Sequence, residues 1–233
     1  MELENADRRK SREIVVQDNQ LIESCYSMTV NEKRILWLGM RKANSRDYPN
    51  PLEPITFTIT ALEFAHHFPD VGEHPWRALK RAAKQLRGRY VKYPPKANKE
   101  LDVNWFDSIE YSNGDGEITI RFSYSIHCRL AGMDEQFTKF PLLEVRQLRS
   151  VYGMRLFEIV YQFQSRGYRR VTTEEYRFMM DCVDKYKSVG ELKRNTLLPA
   201  IKDLKNNSNL NIKVKEFRER RKITHFEFVI VSQ

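Results

Sequence analysis

At 233 residues the chain can form one large domain, or two of about 100–120 residues that each bury a core. Its 41% hydrophobic content is that of a globular protein rather than a disordered one, and no apolar run approaches the roughly 18–20 residues of a membrane span. Lys and Arg outnumber Asp and Glu by 40 to 31, a net charge of +9, which favours a polyanionic partner wherever the positive charge is clustered.

The first dozen residues, MELENADRRKSR, are charged and lack an apolar segment, so 1–13 reads as a flexible basic tail and not a signal peptide. Cys25, Cys128 and Cys182 are odd in number, far apart and without a C-x-x-C pair. They are expected to be buried thiols in a reducing cytoplasm, neither disulfides nor zinc ligands. After a short apolar run, Thr29 and Glu32 make the first of four cap signatures and open the helix NEKRILWLGMRK, which points Ile35, Leu36, Leu38 and Met40 into a core. The loop NSRDYPNPLEP ends that helix, 55–59 alternates as a strand, and Thr60 with Glu63 starts the helix ALEFAHHF.

Between His74 and Lys99 there are nine Lys or Arg and no Asp or Glu. Within PWRALKRAAKQLRGR, Trp76, Leu79, Ala83 and Leu86 share one helical face, while Arg77, Lys80, Arg81, Lys84 and, at the edge, Arg87 share the other. Such a helix docks on a core and turns its charge to phosphates. Gly88 ends it, Arg89 closes the cationic run, and 90–92 begins a strand. Two strands, VNWFDSIEY and EITIRFSY, then flank the turn NGDG, with Ile118, Ile120 and Phe122 on one face. The order helix, strand, helix, basic helix, hairpin describes a winged helix.

The C-terminal half repeats it. A short helix is expected at 125–133, a connection at 137–141 and one long amphipathic helix over 143–164, followed by a strand at 169–172. Thr172 with Glu175, and Ser188 with Glu191, begin two more helices. The second runs as ELKRNTLLPAIKDLKNN, in which Pro199 predicts a bend, and leads to the strands NIKVKEF and THFEFVIV around the basic turn RERRK. The predicted fold is therefore α+β, two tandem winged-helix (helix-turn-helix) domains, 14–136 and 137–233. The repeat is architectural; the halves share no evident identity.

The stretches NQLIESCYSMTVNEKRIL, FTKFPLLEVRQLRSVYGMRLFEIVYQF, GELKRNTLLPAIKDLKNNSNLNI and RERRKITHFEF resemble the iteron-binding plasmid replication initiators of the RepE/RepB type along almost the whole chain. The resemblance implies tandem winged helices whose monomers bind direct repeats (iterons) in double-stranded origin DNA. It further implies opening of adjacent DNA, recruitment of the host initiator and helicase, contact with chaperones, and a homodimer formed through the N-terminal domain that represses its own promoter. The C-terminal domain would supply the main iteron recognition, and the setting would be a bacterial cytoplasm and a plasmid gene. Carried onto this chain, the recognition helices are 77–87 and 191–205. No membrane contact is implied.

On the second helix, Lys193, Arg194 and Asn195 fall in the first turn, where a recognition helix presents side chains to bases. Arg194 and Asn195 are candidates for guanine and adenine; Lys193 and Lys202 suit phosphates. In the wing, Lys213, Lys215, Arg218, Arg220, Arg221 and Lys222 could guard a sheet edge, but their density favours phosphate or minor-groove contact. Arg149 and Arg155, in the stretch FTKFPLLEVRQLRSVYGMRLFEIVYQF at the expected domain junction, suggest a structural or phosphate-clamping role. A rolling-circle nicking enzyme is disfavoured because the adjacent His66 and His67 are not a His–apolar–His metal pair, and no G-x-x-x-x-G-K-[ST] loop supports ATP hydrolysis. The protein is expected to act without catalysis or cofactor; the alternative is a repressor of an inverted-repeat operator that does not initiate replication.

Overall fold

The computed structural model describes residues 13–44, 53–95, 99–131 and 136–231; all but the last residue of the tail expected at 1–13 and the body of the proline-rich loop lie outside the described residues. Strand β1 (Ile14–Asp18) runs into helix α1 (Asn19–Glu23), capped by Asp18, which accepts the Leu21 N–H at 3.0 Å. Helix α2 (Val30–Asn44) opens at the expected box, with Thr29 and Glu32 each accepting the other's backbone N–H. Residues 32–40 are buried on every side, so α2 is the centre of the N-terminal half rather than one of its walls. Strand β2 (Thr56–Thr60) crosses it so closely that a Cβ on Gly39 would sit 2.5 Å from the Phe57 ring. Thr60 caps helix α3 (Ala61–His67) through the Glu63 N–H at 3.1 Å. Helix α4 (Pro75–Leu86) starts on a proline, whose missing N–H is one the first turn could not have used.

Leu79, Ala82, Ala83 and Leu86 bury one side of α4 against α2 and α3. Strands β3 (Tyr90–Lys92) and β4 (Asp102–Asn104) form a short antiparallel ladder. Strands β5 (Phe106–Ser112) and β6 (Glu117–Phe122) form the expected hairpin, and its turn uses Gly116 at φ +64°, a conformation open to glycine without strain. Helix α5 (Tyr124–Ala131) buries Ile126, His127 and Leu130 and leaves Cys128 on its other side. Cys128 is therefore exposed, against expectation, while Cys25 and Cys182 are buried.

Two connections differ from the sequence reading. Residues 137–141 form strand β7 (Phe137–Pro141), antiparallel to β1 with Val16 opposite Lys139. FTKFP buries Thr138 and Phe140 and exposes Lys139, a strand alternation in five residues that also reads as a linker. The ladder carries the N-terminal half past the boundary expected at 136. The helix expected over 143–164 is two, α6 (Leu142–Val145) and α7 (Val151–Tyr161). Between them the Asp203 carboxylate accepts the Arg149 and Ser150 N–H groups at 3.1 and 2.8 Å, and Ser150 Oγ accepts the Gly153 N–H at 3.3 Å. A newly capped N-terminus is thereby built in the middle of the periodic run.

The C-terminal half continues with β8 (Tyr168–Thr172), α8 (Thr173–Met179) behind a complete Thr172–Glu175 capping box, and α9 (Val189–Leu192) behind the Ser188–Glu191 box. A π turn (Lys193–Leu197) joins α9 to α10 (Leu198–Asn207), and β9 (Asn211–Glu219) and β10 (Lys222–Val231) close the chain. The sheet orders are β2-β6-β5 and β8-β10-β9, so in both halves the strand before the middle helix pairs with the last strand of the hairpin. Two winged helices therefore stand in tandem, as expected. No helix among the described residues is long and apolar enough to cross a membrane.

One hydrophobic cluster runs through both halves, and a buried ionic group sits where they meet. The Glu158 carboxylate, fully buried on α7, receives the Lys33 ammonium and the Trp37 indole N–H of α2, both at 2.7 Å, and the Arg155 guanidinium at 2.9 Å. Arg155 also donates to the Tyr26 hydroxyl and to the carbonyls of Ile22 at 2.8 Å, Ser24 at 2.9 Å and Met179 at 3.1 Å. It thus rivets the loop before α2 to the end of α8. Burial by itself would raise the Glu158 pKa, but Lys33 and Arg155 hold it below the ordinary 4.5. Burial pushes Lys33 down to about 8 against the pull of Glu158. Glu158→Gln leaves two buried cations without their counter-ion and should cost about 3–5 kcal/mol in urea unfolding at neutral pH. Because the folded-state pKa is depressed, this contribution is complete above 4.5 and is lost as pH falls through the folded value. The gap between wild type and variant should therefore narrow in acid; an unchanged gap would place the cost elsewhere.

Candidate nucleic-acid interface

On α4 the exposed side chains are Arg77, Arg81, Lys84 and Gln85, with Arg87 exposed just beyond the helix and no acidic residue among them. Lys80 lies against the Trp76 ring and donates from Nζ to Asn113 Oδ1 at 2.5 Å, at the tip of the β5–β6 hairpin. Arg89 is engaged otherwise: its Nε and Nη2 donate to the two Glu32 carboxylate oxygens at 2.9 and 3.1 Å, joining the chain after α4 to the start of α2. Arg77, Arg81, Lys84 and Arg87 remain as the exposed cations of this face, and Arg89 acts as a brace. Gln85, one turn after Arg81, was missed by a search for charge; an exposed amide on a recognition helix can pair with adenine.

Just before Pro199, where the sequence predicts a bend, the C-terminal helix contains a π turn. The Leu198 N–H reaches the Lys193 carbonyl, five residues back. Leu192 and Leu197 are both buried although five residues apart, a spacing an unbroken α-helix does not keep on one face. Pro199 lacks the N–H that a continuous α-helix would need at that point. The Asn195 side-chain amide donates to the Glu191 carbonyl at 2.8 Å, and the Thr196 hydroxyl to the Leu192 carbonyl at 2.7 Å. Arg194, Asn195, Leu198, Pro199, Lys202 and Lys205 face solvent. Lys193 does not stand free with them, since it is paired with Glu216 of β9, and that hydrogen bond holds the Glu216 carboxyl below its ordinary pKa.

In both halves a lysine links the basic helix to its own hairpin, Lys80 to Asn113 and Lys193 to Glu216. In the C-terminal wing, Lys213, Arg220, Arg221 and Lys222 are exposed, and Arg220 takes the left-handed φ of +55° in the turn. Arg218 leans on Glu216 at 3.4 Å, and the exposed Lys215 reaches the buried Glu227 carboxylate at 3.5 Å, a carboxylate that Arg170 also holds at 2.7 Å. Arg155 is a core rivet, as described above, whereas Arg149 offers an exposed side chain above a backbone held by Asp203. Among the described residues, no three His, Cys, Asp or Glu side chains are grouped to hold a metal ion.

Helix α10 is seated on α7 at a close crossing. A Cβ on Gly153 would lie 2.3 Å from the Asp203 Oδ2 that caps α7. Gly153→Ala should therefore cost about 1–3 kcal/mol of stability by overpacking. Combined with Asp203→Ala, the loss in urea unfolding should be smaller than the sum of the two single losses; full additivity would contradict the contact.

Paired winged helices, each presenting a cationic helix face beside its own hairpin, are an architecture for holding double-stranded nucleic acid. Family comparison is specific: residues 14–161 match the model described as Initiator Replication protein, WH1, and residues 172–230 match Initiator Rep protein, WH2. The chain belongs to the initiator Rep protein family. It is 26% identical over 202 residues to an uncharacterized 27.6 kDa protein of Escherichia coli, covering 82% of this chain and 84% of the relative. It is 23% identical over 207 residues to a replication initiation protein of Escherichia coli, covering 86% of this chain and 65% of that one. Its fold is similar to a solved structure titled as the Pi initiator protein in complex with iteron DNA, with a TM-score of 0.72 at 20% identity, over 96% of this chain and 99% of that one.

Proposed function

We propose that this protein is a plasmid replication initiator that binds repeated double-stranded sites at an origin, reads them with α4 and with α9–α10, and acts without catalysis. The observation that carries this reading is the pair of recognition helices, each with an acid-free exposed face, Arg77–Arg81–Lys84 on one and Arg194–Asn195–Lys202 on the other. Phosphate contact from the first face gives affinity, and base contact from the second gives choice of sequence. In the same reading the C-terminal domain is the main reader, the N-terminal domain adds contacts and a dimer surface, and the bound protein opens the origin and draws in the host initiator and helicase. Membership of the initiator family supports the replication role over a repressor alone.

Two recognition helices on successive major-groove faces lie about 10 base pairs apart, so the bound site should be about 20 base pairs long. Selection of duplexes from a random pool at about 0.15 M salt tests this, because nonspecific phosphate binding is then weak. The expected result is one motif of that length, recurring in tandem beside the gene. An inverted pair alone would favour the operator reading, and no enriched motif would end the proposal. Arg194→Ala should cost about 1–3 kcal/mol on the selected site and relax one base position, whereas Lys84→Ala should weaken all duplexes alike and lower the salt slope by about 0.9. Equal losses for Arg194→Ala on selected and random duplexes would remove its base-reading role.

A further inference from the structure

The solvent face of α9–α10 is not uniformly polar. Leu198 is 55% exposed and lies in line with Arg194, about one turn before it, and Lys202, one turn after it. The exposed ring of Pro199 adjoins it, so an apolar patch sits inside a cationic stripe. Single exposed apolar side chains are ordinary on protein surfaces and by themselves mean nothing. Leu198 is distinguished by the backbone that places it. The π turn takes up one residue between Leu192 and Leu197, lets both pack in the core, and leaves the adjacent leucine outside. The packing leucine at this step is Leu197, 1% exposed, so Leu198 is not needed to hold the helix down.

On a helix that enters the major groove, an exposed leucine has one apolar counterpart among the base edges, the C5-methyl of thymine. Arg194 and Lys202 on either side are long enough to reach guanine or phosphate while the shorter leucine closes on the groove floor. Resting on the DNA-reading proposal above, we infer that Leu198 is a specificity-determining residue that seats against a thymine methyl and selects thymine over cytosine at that position.

The test uses the full chain and the duplex it enriches from the random pool. Each thymine on either strand is replaced singly by deoxyuridine, which removes the methyl and keeps every hydrogen-bonding group. Wild-type binding should fall about fourfold at one thymine, the effect of exposing one buried methyl. Leu198→Ala should be weakened to a similar degree on the unmodified duplex and show no further loss at that thymine. Arg194→Ala should keep the wild-type sensitivity there. Because Leu198 is exposed, the alanine variant should retain the wild-type circular dichroism, which establishes that a binding change is local. A wild type indifferent to deoxyuridine at every position would overturn the inference while leaving DNA recognition intact, as would a Leu198→Ala profile identical to that of wild type. A pool with no enriched duplex would overturn both, and the two failures are thereby told apart.

Discussion

A fully buried carboxylate, Glu158 on α7, holds the two winged helices on one core. Removed from water, it is stable only with partners on every side, and it finds them on α2 through Lys33 and Trp37 and on its own helix through Arg155. The same low dielectric that makes an unpaired charge costly makes these bonds strong, so the group is satisfied as a whole or not at all. Arg155 extends the constraint to the carbonyls of Ile22, Ser24 and Met179, which brings the end of α8 to the loop before α2. Each basic helix in turn packs on an element that this junction holds, α4 on α2 and α10 on α7.

A second level of constraint lies between each helix and its wing. Lys80 reaches the tip of its hairpin at Asn113, and Lys193 meets Glu216 on β9. Both lysines belong to cationic runs that a count of charge assigns to DNA alone. In the folded protein they link helix to hairpin, while Arg77, Arg81, Lys84, Arg87, Arg194, Lys202 and Lys205 are the cations of the two helix faces turned outward. Arg89 is another instance, a charge in the basic run that closes on Glu32 and braces α4 against α2.

The features legible in the chain were those whose causes are local. A Ser or Thr hydroxyl three residues before a Glu satisfies helix N–H groups wherever it occurs, and the boxes at Thr29, Thr172 and Ser188 form with both bonds present. The alternation of Ile118, Ile120 and Phe122 belongs to one strand, and the NGDG turn closes its own hairpin. The apolar stripe of α4 faces the core because three and four residues complete a turn. The π turn also has a trace in the chain, the five-residue spacing of Leu192 and Leu197 beside Pro199.

Composition, capping and periodicity by themselves determined the tandem repeat of helix, strand, helix, basic helix and hairpin, and the two basic helices within it, because their caps, turns and apolar faces rest on residues a few positions apart. Tertiary structure alone decided that 137–141 would pair with 14–18, that Asp203 would reach across to the backbone just ahead of α7, and that Arg155 would be buried as a rivet rather than exposed as a clamp. Those outcomes join groups from about 50 to more than 120 residues apart, whose meeting depends on the packing of the whole chain. The same holds for which cations are free. A lysine's charge is written in the sequence, but whether it faces a carboxylate or solvent depends on what the fold brings within reach.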